Sequence, residues 1–293
     1  MNRRWALFIC ILFSASASRG QTKETVIHID GSPSMTACTQ RLTEWYHHIQ
    51  PDTSFIVGAE GDRRGIAALV DGTADIAQTA RQPLGGEILA LRERRHERFV
   101  QIPVATEVAG ILVNPSNPVH ELSIFNLKQI LSGTVKNWKQ VGGNDEPINI
   151  YGRDRSSDLS EFIETEFMGD QNIASSAMTF PKNSALYNAV ASDRDAIGYG
   201  TVDLGLNPNV RFVSIKASSS GPAVAPTAEN IREHRYTLTR PLYFVFVGEP
   251  SGEVQRFGWW VLSTQGQLVM EASEFWPLGQ TDREQGKTLL ATR

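Results

Sequence analysis

Hydroxyl side chains stand at the predicted start of two helices in this sequence, where backbone N–H groups have no partner within the helix. Ser34 and Met35 lie in the first corner, and Ser156 and Ser157 lie in the second, which directly follows Arg153. Unpaired N–H groups and the positive end of a helix attract anions, and an arginine adds a forked donor. The two corners therefore predict a site for a small oxyanion, although Ser34 and Ser157 would each also fit the simpler role of an N-cap.

No familiar catalytic motif accompanies these corners. The sequence contains no H-E-x-x-H, C-x-x-C or G-x-S-x-G pattern. Its histidines are scattered apart from the adjacent His47 and His48, so no metal site is predicted. Cys38 falls on the apolar face of a predicted helix, which favours a small buried hydrophobe over a nucleophile. We therefore expect neither an enzyme nor a cofactor, and an exported hydrolase is the least supported alternative.

The N-terminal part of the chain alternates between strand and helix patterns. A strand is predicted over residues 25–29, followed by a helix that Ser34 would cap. The apolar face of this helix is expected to consist of Met35, Cys38, Leu42, Trp45 and Ile49. A strand over residues 54–58, a short helix over 65–70 and a strand over 74–77 come next. This alternation predicts an α/β fold with mainly parallel sheets.

A long apolar segment over residues 100–113 is broken only near Glu107, and it is long enough to leave one lobe and enter another. An apolar strand over residues 242–247 is expected to return the chain to the first lobe. The charge-rich segment 92–98 mixes both signs, which is typical of a solvated helix rather than a nucleic-acid-binding patch. Shorter elements complete the pattern, with strands at residues 147–151 and 197–199 and helices at 159–168, 183–191, 254–262 and 264–272.

The first residues have the features of a secretory signal peptide. Arg3 and Arg4 precede a nine-residue apolar run, and small residues follow it. We expect residues 1–20 to form this segment, with cleavage after Ala17 or just before Gln21. Because the apolar run is too short to span a bilayer as a helix, a periplasmic or secreted protein without membrane insertion is predicted.

Charge and length limit the possible partners and the domain organisation. Without residues 1–20 the chain carries 25 basic and 32 acidic residues, a net charge of −7. A surface of that sign repels nucleic acid and anionic lipid, so any anion site has to be local. The length suits two lobes, and a monomer is expected. Lobe I is predicted over residues 21–105 together with 241–293, and lobe II over residues 106–240.

Many segments resemble, in order along the chain, the phosphate-binding proteins of ABC importers. Residues 27–32 look like the opening strand and turn of that family, and residues 151–153 look like its arginine-bearing turn. The other matching segments are residues 72–77 with Arg81, 131–133, 137–138, 141–143, 196–199, 240–243 and 262–267. The resemblance covers essentially the whole mature chain.

This resemblance implies a type II periplasmic-binding-protein fold, in which two α/β lobes joined by crossing strands close on a ligand in the cleft between them. It implies an exported, non-enzymatic protein that captures phosphate for the membrane permease of an ABC importer. By position, Ser34 and the amide of Met35 would serve from lobe I, and Arg153 and Ser157 from lobe II. Arg81 matches an arginine beside the cleft in the family.

The sequence departs from the family pattern at several ligand positions. Asp62 stands where the family has a serine, and Ala80 replaces the serine before Arg81. The corner after Arg153 gains the carboxylate of Asp158 and loses a threonine hydroxyl. Both carboxylates would oppose a doubly charged phosphate.

These departures leave alternatives open. Arg63, Arg64 or Arg155 would restore a phosphate site by pairing with the two carboxylates. Without such pairing, we expect another oxyanion, or a zwitterion whose positive group meets Asp62 or Asp158. A signalling or accessory protein that transports nothing is a further alternative.

Overall fold

The computed structural model describes residues 24–155, 157–202 and 209–291. The predicted signal peptide over residues 1–20 and the predicted site residue Ser156 lie outside the described residues, as does the side chain of Asp158. Within the described part of the chain, no helix combines the length and the apolar character needed to cross a bilayer.

Strands and helices alternate along most of the described chain. The strands are β1 (Thr25–Gly31), β2 (Thr53–Val57), β3 (Ile76–Thr79), β4 (Phe99–Val113), β5 (Glu121–Ser123), β6 (Asn149–Arg153), β7 (Met178–Phe180), β8 (Ala196–Thr201), β9 (Arg211–Phe212), β10 (Ser214–Lys216), β11 (Ala223–Val224) and β12 (Thr239–Val247). The α-helices are α1 (Pro33–Ile49), α2 (Asp62–Asp71), α3 (Gly85–Arg95), α4 (Ile124–Leu131), α5 (Asp158–Glu161), α6 (Asn183–Ser192), α7 (Ala228–Arg232), α8 (Gly252–Val261), α9 (Thr264–Ala272) and α10 (Gln280–Leu290). A 3-10 helix (Trp138–Val141) follows α4, and a π-helix (Phe162–Phe167) directly continues α5.

The main sheet has the strand order β2, β1, β3, β12, β4, β8, β6, β7, and β9 pairs with the end of β4. At one end β1 pairs in parallel with β2 and β3, and at the other β6 pairs in parallel with β7 and β8. We call the half around β1, β2 and β3 lobe I, and the half around β6, β7 and β8 lobe II. The predicted α/β fold with two lobes of mainly parallel strands is confirmed.

Two long antiparallel strands join the lobes. β4 pairs with β12 from its first residue to Val108, and then with β8 from Ala109 onward. Val104 belongs to the hydrophobic core of lobe I, whereas Ile111 belongs to that of lobe II. β4 therefore passes from one core to the other, as predicted for residues 100–113.

The strand directions bring the two sets of carboxyl ends together. Because β12 is antiparallel to both β3 and β4, the strands β1, β2 and β3 run in the direction of β4, toward lobe II. Because β8 is antiparallel to β4, the strands β6, β7 and β8 run toward lobe I. The parallel strands of both lobes therefore end at the junction between them, the edge at which open α/β sheets bind ligands.

The end of β1 packs so closely against β3 and α2 that two positions, Gly31 and Gly65, have no space for a side chain. Gly31 has a φ of +140°, and a Cβ atom there would lie 2.0 Å from the carbonyl oxygen of Gln78 on β3. On the other side, a Cβ atom at Gly65 of α2 would lie 2.6 Å from the Cα atom of Gly31. Glycine at both positions thus lets β1 end between β3 and α2, which brings Ser32 close to the start of α2.

The predicted N-cap of α1 is wrong. The helix begins at Pro33, so Ser32 is the N-cap and Ser34 lies inside the first turn. Proline suits this position because its missing N–H would have had no partner in the helix, and its fixed φ matches the helical value. Ser34 is consequently free of the simple capping role that its sequence position suggested.

The buried face of α1 also differs from its prediction toward the end of the helix. Met35, Cys38 and Leu42 are buried as expected, but Trp45 is 59% exposed and Ile49 is also exposed. The buried face continues instead through Tyr46, whose hydroxyl donates to Glu253 at 2.6 Å. Tyr46, four residues after Leu42, therefore faces Glu253 of α8, whereas Trp45, three residues after Leu42, points away from it.

Two helical regions depart from the sequence pattern. The helix predicted over residues 159–168 is α5 followed by the π-helix, in which Phe162 and Phe167 are both buried. Their five-residue spacing fits the wider π-helix better than an α-helix. Helix α10 was not predicted, because it is mostly polar and buries only Gly286 and Leu290.

Cys38 should be almost unreactive in the folded protein. It is buried, its Sγ lies 3.1 Å from the Sδ of Met270, and burial raises the pKa of the thiol to about 11. At pH 8 about one thiol in a thousand is then ionised, so we expect iodoacetamide to modify the folded protein more than about a hundredfold more slowly than the denatured protein. Mass spectrometry of timed reactions with and without urea measures both rates, and similar rates would contradict the burial.

Candidate functional site

Two buried serines follow the end of β1. The Oγ atoms of Ser32 and Ser34 are 2.8 Å apart, and each residue is only 3% exposed. The Ser32 hydroxyl also lies near the Asp62 carboxylate, where it partly opposes the rise that burial causes in the pKa of that carboxyl. The N–H of Met35, a predicted ligand donor, donates to the Ser32 carbonyl at 3.2 Å. The predicted residues Ser34 and Asp62 are thus brought together through Ser32, while Met35 already has a hydrogen-bond partner.

Asp62 is the first residue of α2, at the positive end of that helix. Its carboxylate accepts the N–H of Ala80 at 3.2 Å and lies 3.8 Å from the Nε of Arg81. The pKa of Asp62 is raised because burial disfavours its charge, and the Ala80 N–H and the Arg81 charge offset this only in part. The charge partner of Asp62 is therefore Arg81, rather than Arg63 or Arg64 as the sequence suggested.

Arg81 is itself held by a second carboxylate. Its Nη1 and Nη2 donate to Glu87 at 2.9 and 2.8 Å, and Glu87 also accepts the N–H of Leu84 at 2.7 Å. The hydrogen bonds to Glu87 raise the pKa of Arg81. Because Glu87 and Asp62 balance its charge, Arg81 orients Asp62 and is a poor source of net positive charge for a bound anion.

The corner in lobe II is built around Arg153, the last residue of β6. Its Nη2 donates to the Pro181 carbonyl at 3.1 Å, and its buried Nε has no hydrogen-bond partner among the residues that the structure describes. Ser157 Oγ donates to the Asp154 carbonyl at 2.8 Å and accepts the Ser160 N–H at 3.3 Å. Ser157 therefore has the capping role that the sequence allowed, whereas Arg153 has donor capacity to spare. An unpaired buried donor is costly, which favours an acceptor beside Arg153.

An ion-pair network with one buried pair and one partly exposed carboxylate lies in the hinge between the corners. Arg240 of β12 donates to Glu107 of β4 at 3.0 and 2.6 Å and to Glu166 of the π-helix at 2.8 Å. Burial raises the pKa of Asp62, and the positive charge of Arg240 is a minor influence in the opposite direction. We did not predict this network, although Glu107 is visible in the sequence as a charge that interrupts an apolar strand.

A groove of about 1140 Å³ opens between the lobes beside Arg153. Two hydrogen bonds cross it from lobe II to the segment after α9 in lobe I. Asn183 donates to Glu274 at 3.0 Å, and the indole N–H of Trp276 donates to the Val202 carbonyl at 3.2 Å. Arg153 thus stands at the boundary of the two lobes and not on the outer face of lobe II.

Fold and site together define a two-lobed binding protein, and a family model described as the PBP superfamily domain matches residues 15–265. The chain belongs to this family. It is 26% identical over 251 residues to the phosphate-binding protein PstS of Staphylococcus aureus (strain USA300), covering 83% of this chain and 76% of that protein. The resemblance inferred from the sequence motifs is thereby confirmed.

Solved structures show the same architecture. A possible phosphate-binding protein from Planctomyces limnophilus DSM 3776 superposes with a TM-score of 0.80 at 22% identity, covering 91% of this chain and 98% of that chain. An ABC-type phosphate transport receptor from Vibrio cholerae superposes with a TM-score of 0.71 at 26% identity, covering 86% of this chain and 99% of that chain. Both similarities extend over most of this chain and nearly all of the other.

Proposed function

We propose that this protein captures phosphate in the cleft between its lobes and supplies it to an ABC importer. The direction of the strands carries this proposal, because the parallel strands of both lobes end at one junction. Ser34 and Asp62 stand at that edge of lobe I, and Arg153, whose Nε is bonded to none of the described residues, stands at that edge of lobe II. The names of the related binding proteins support phosphate over other ligands.

The proposed ligand-binding residues are Ser34, Met35, Asp62, Arg81, Arg153, Ser156, Ser157 and Asp158. Arg153 supplies the main positive charge, and hydroxyl and amide groups replace the water around the anion. Asp62 is compatible with this role because Arg81 and the Ala80 N–H offset its charge. Arg81 acts through Asp62 in this arrangement.

Closure of the lobes would complete the site. We place lobe I at residues 21–105 with 241–293 and lobe II at residues 106–240, so that β4 and β12 cross between them as the hinge. Donors from both lobes then surround the anion only in the closed form. The ligand therefore favours closure by the difference in its affinity for the two forms.

The setting that fits this function is outside the cytoplasm. A signal peptide over residues 1–20 would direct the protein to the periplasm or the medium, where it would meet the importer's permease. We propose a monomeric binding protein without enzymatic activity, cofactor or nucleic-acid partner. The net charge of −7 after loss of those residues and the family of transport receptors support this assignment.

Isothermal titration of the purified protein tests the ligand. We expect saturable binding of phosphate with a dissociation constant in the micromolar range or below, since a charge-assisted site of this kind supplies about 8 kcal/mol or more. Arsenate should compete because it has the same shape and charge. Titration with sulfate in parallel measures selectivity, and the absence of a signal at millimolar phosphate would exclude phosphate as the ligand.

A further inference from the structure

Arg240 links the hinge to lobe II. It is the second residue of β12, directly opposite Glu107 of β4, and both residues are only 4% exposed. One side of its guanidinium group faces Glu107 on the hinge, and Nη1 faces Glu166 on the π-helix. A single buried cation is therefore shared between a strand that joins the lobes and the π-helix of lobe II.

The helical run that Glu166 belongs to begins beside the anion corner. α5 starts directly after Ser157, and the π-helix continues it without a break. The Arg240 guanidinium also lies 5.1 Å from the centre of the Phe162 ring, a cation–π contact on the same run. Any displacement of Glu166 and Phe162 from Arg240 would thus shift the corner at Ser157. π-Helical turns are uncommon and concentrate at functional sites.

Building on the phosphate-binding function proposed above, we propose that Arg240 is a positioning residue of the anion site, which fixes the Ser157 corner against the hinge through Glu166. Arg240 touches no ligand in this role.

Neutralising Glu166 distinguishes a positioning role from a simple electrostatic one, because the two roles predict opposite changes in phosphate affinity. Glu166 is a carboxylate near an anion-binding cleft, and its side chain is 47% exposed. If only its negative charge mattered, Glu166→Gln would remove a repulsion and tighten phosphate binding. If Glu166 holds the corner through Arg240, the same substitution loosens the corner and weakens binding. Burial of Arg240 against Glu107 remains intact in this variant, which should fold.

Titration of Glu166→Gln with inorganic phosphate is the test. We expect binding about two- to fivefold weaker than in the wild type, the size of effect that a partly exposed ion pair supports. Glu164→Gln is the matched control on the same helix, because Glu164 pairs with Arg155 at 3.7 Å, whereas the partners of Arg240 among the described residues are Glu107 and Glu166. The control should bind phosphate as well as the wild type or better. Equal or tighter binding by Glu166→Gln would overturn the proposal.

Hydrogen–deuterium exchange gives a second readout that does not depend on the ligand. The Ser160 N–H, which is bonded to Ser157 Oγ at 3.3 Å, should exchange faster in Glu166→Gln than in the wild type. Amides of α6 in the same lobe should not change. Unchanged exchange at Ser160 would overturn the positioning role of Arg240. Failure of the wild type to bind phosphate would instead count against the proposed function alone.

Discussion

Replacement of Arg153 by alanine is expected to weaken phosphate binding by about a hundredfold or more. Arg153 is the cation at the end of β6, and its buried Nε lacks a hydrogen-bond partner within the described part of the chain. A bidentate charge-assisted contact is worth about 3 kcal/mol. The folded structure should survive, because in the described residues its side chain makes only one hydrogen bond, to the Pro181 carbonyl. Isothermal titration with phosphate, together with the melting temperature, measures both effects.

Arg155→Ala is the matched control for this experiment. Arg155 lies two positions further along, its side chain is 81% exposed, and it is 3.7 Å from Glu164. Removing this solvated charge should change phosphate affinity by less than about threefold. If both variants lost phosphate binding equally, the affinity would depend on the total positive charge of the corner and not on a direct contact from Arg153. If neither lost binding, the anion site would lie elsewhere.

Arg240→Met is expected to lower the free energy of unfolding by about 3–5 kcal/mol near neutral pH. The substitution leaves Glu107 as an unpaired carboxylate in the hinge, where only 4% of the residue is exposed. The melting temperature should fall by roughly 10 °C as a result. Urea denaturation followed by circular dichroism measures the loss, and a change below about 1 kcal/mol would show that the pair contributes little.

The pH dependence of this loss identifies its cause. Burial already raises the pKa of Glu107 in the wild type, and the Arg240 charge offsets part of that effect. Without Arg240 the pKa of Glu107 in the folded state rises further above its value in the unfolded chain. The loss in the free energy of unfolding is then fully present at high pH, where Glu107 is ionised in both the folded and the unfolded protein. It becomes smaller as the pH falls and Glu107 is protonated in the folded protein. The stability difference between variant and wild type should therefore be smaller at about pH 5 than at about pH 8.

A double substitution provides the control. Arg240→Met combined with Glu107→Gln removes both members of the buried pair and should recover at least part of the lost stability, since no buried charge remains in the hinge strands. A double variant that is less stable than Arg240→Met would mean that shape, and not the unpaired carboxylate, causes the loss.

The sequence was sufficient to predict the fold because its signals are local and repeated. Alternating apolar strands and amphipathic helices predicted parallel sheets, and residues 100–113 were long enough to join two lobes. The errors arose where a partner distant in sequence decides the outcome. Tyr46 displaces Trp45 from the buried face because Glu253 lies across from it. Helix α10 escapes notice because Gly286 and Leu290 are its only buried residues in the described part of the chain, too few for an apolar pattern.

The candidate site was only partly predictable for the same reason. The hydroxyls and Arg153 could be found from their positions at the ends of predicted strands. The partner of Asp62 could not, because Arg81 is nineteen positions away and nearer arginines were available. Arg240 and Glu107 are separated by 133 positions. Their pairing depends on the register of β4 against β12, which no local pattern specifies.

The discontinuity of lobe I has a consequence for the order in which the protein matures. Ile27 near one end of the chain and Leu290 near the other belong to the same hydrophobic core. On a growing chain, the residues of lobe II are complete well before α10 has been made, so lobe II can fold while lobe I still lacks its final helix. The segment after α9 that lines the groove beside Arg153 is therefore made late, after all residues of lobe II.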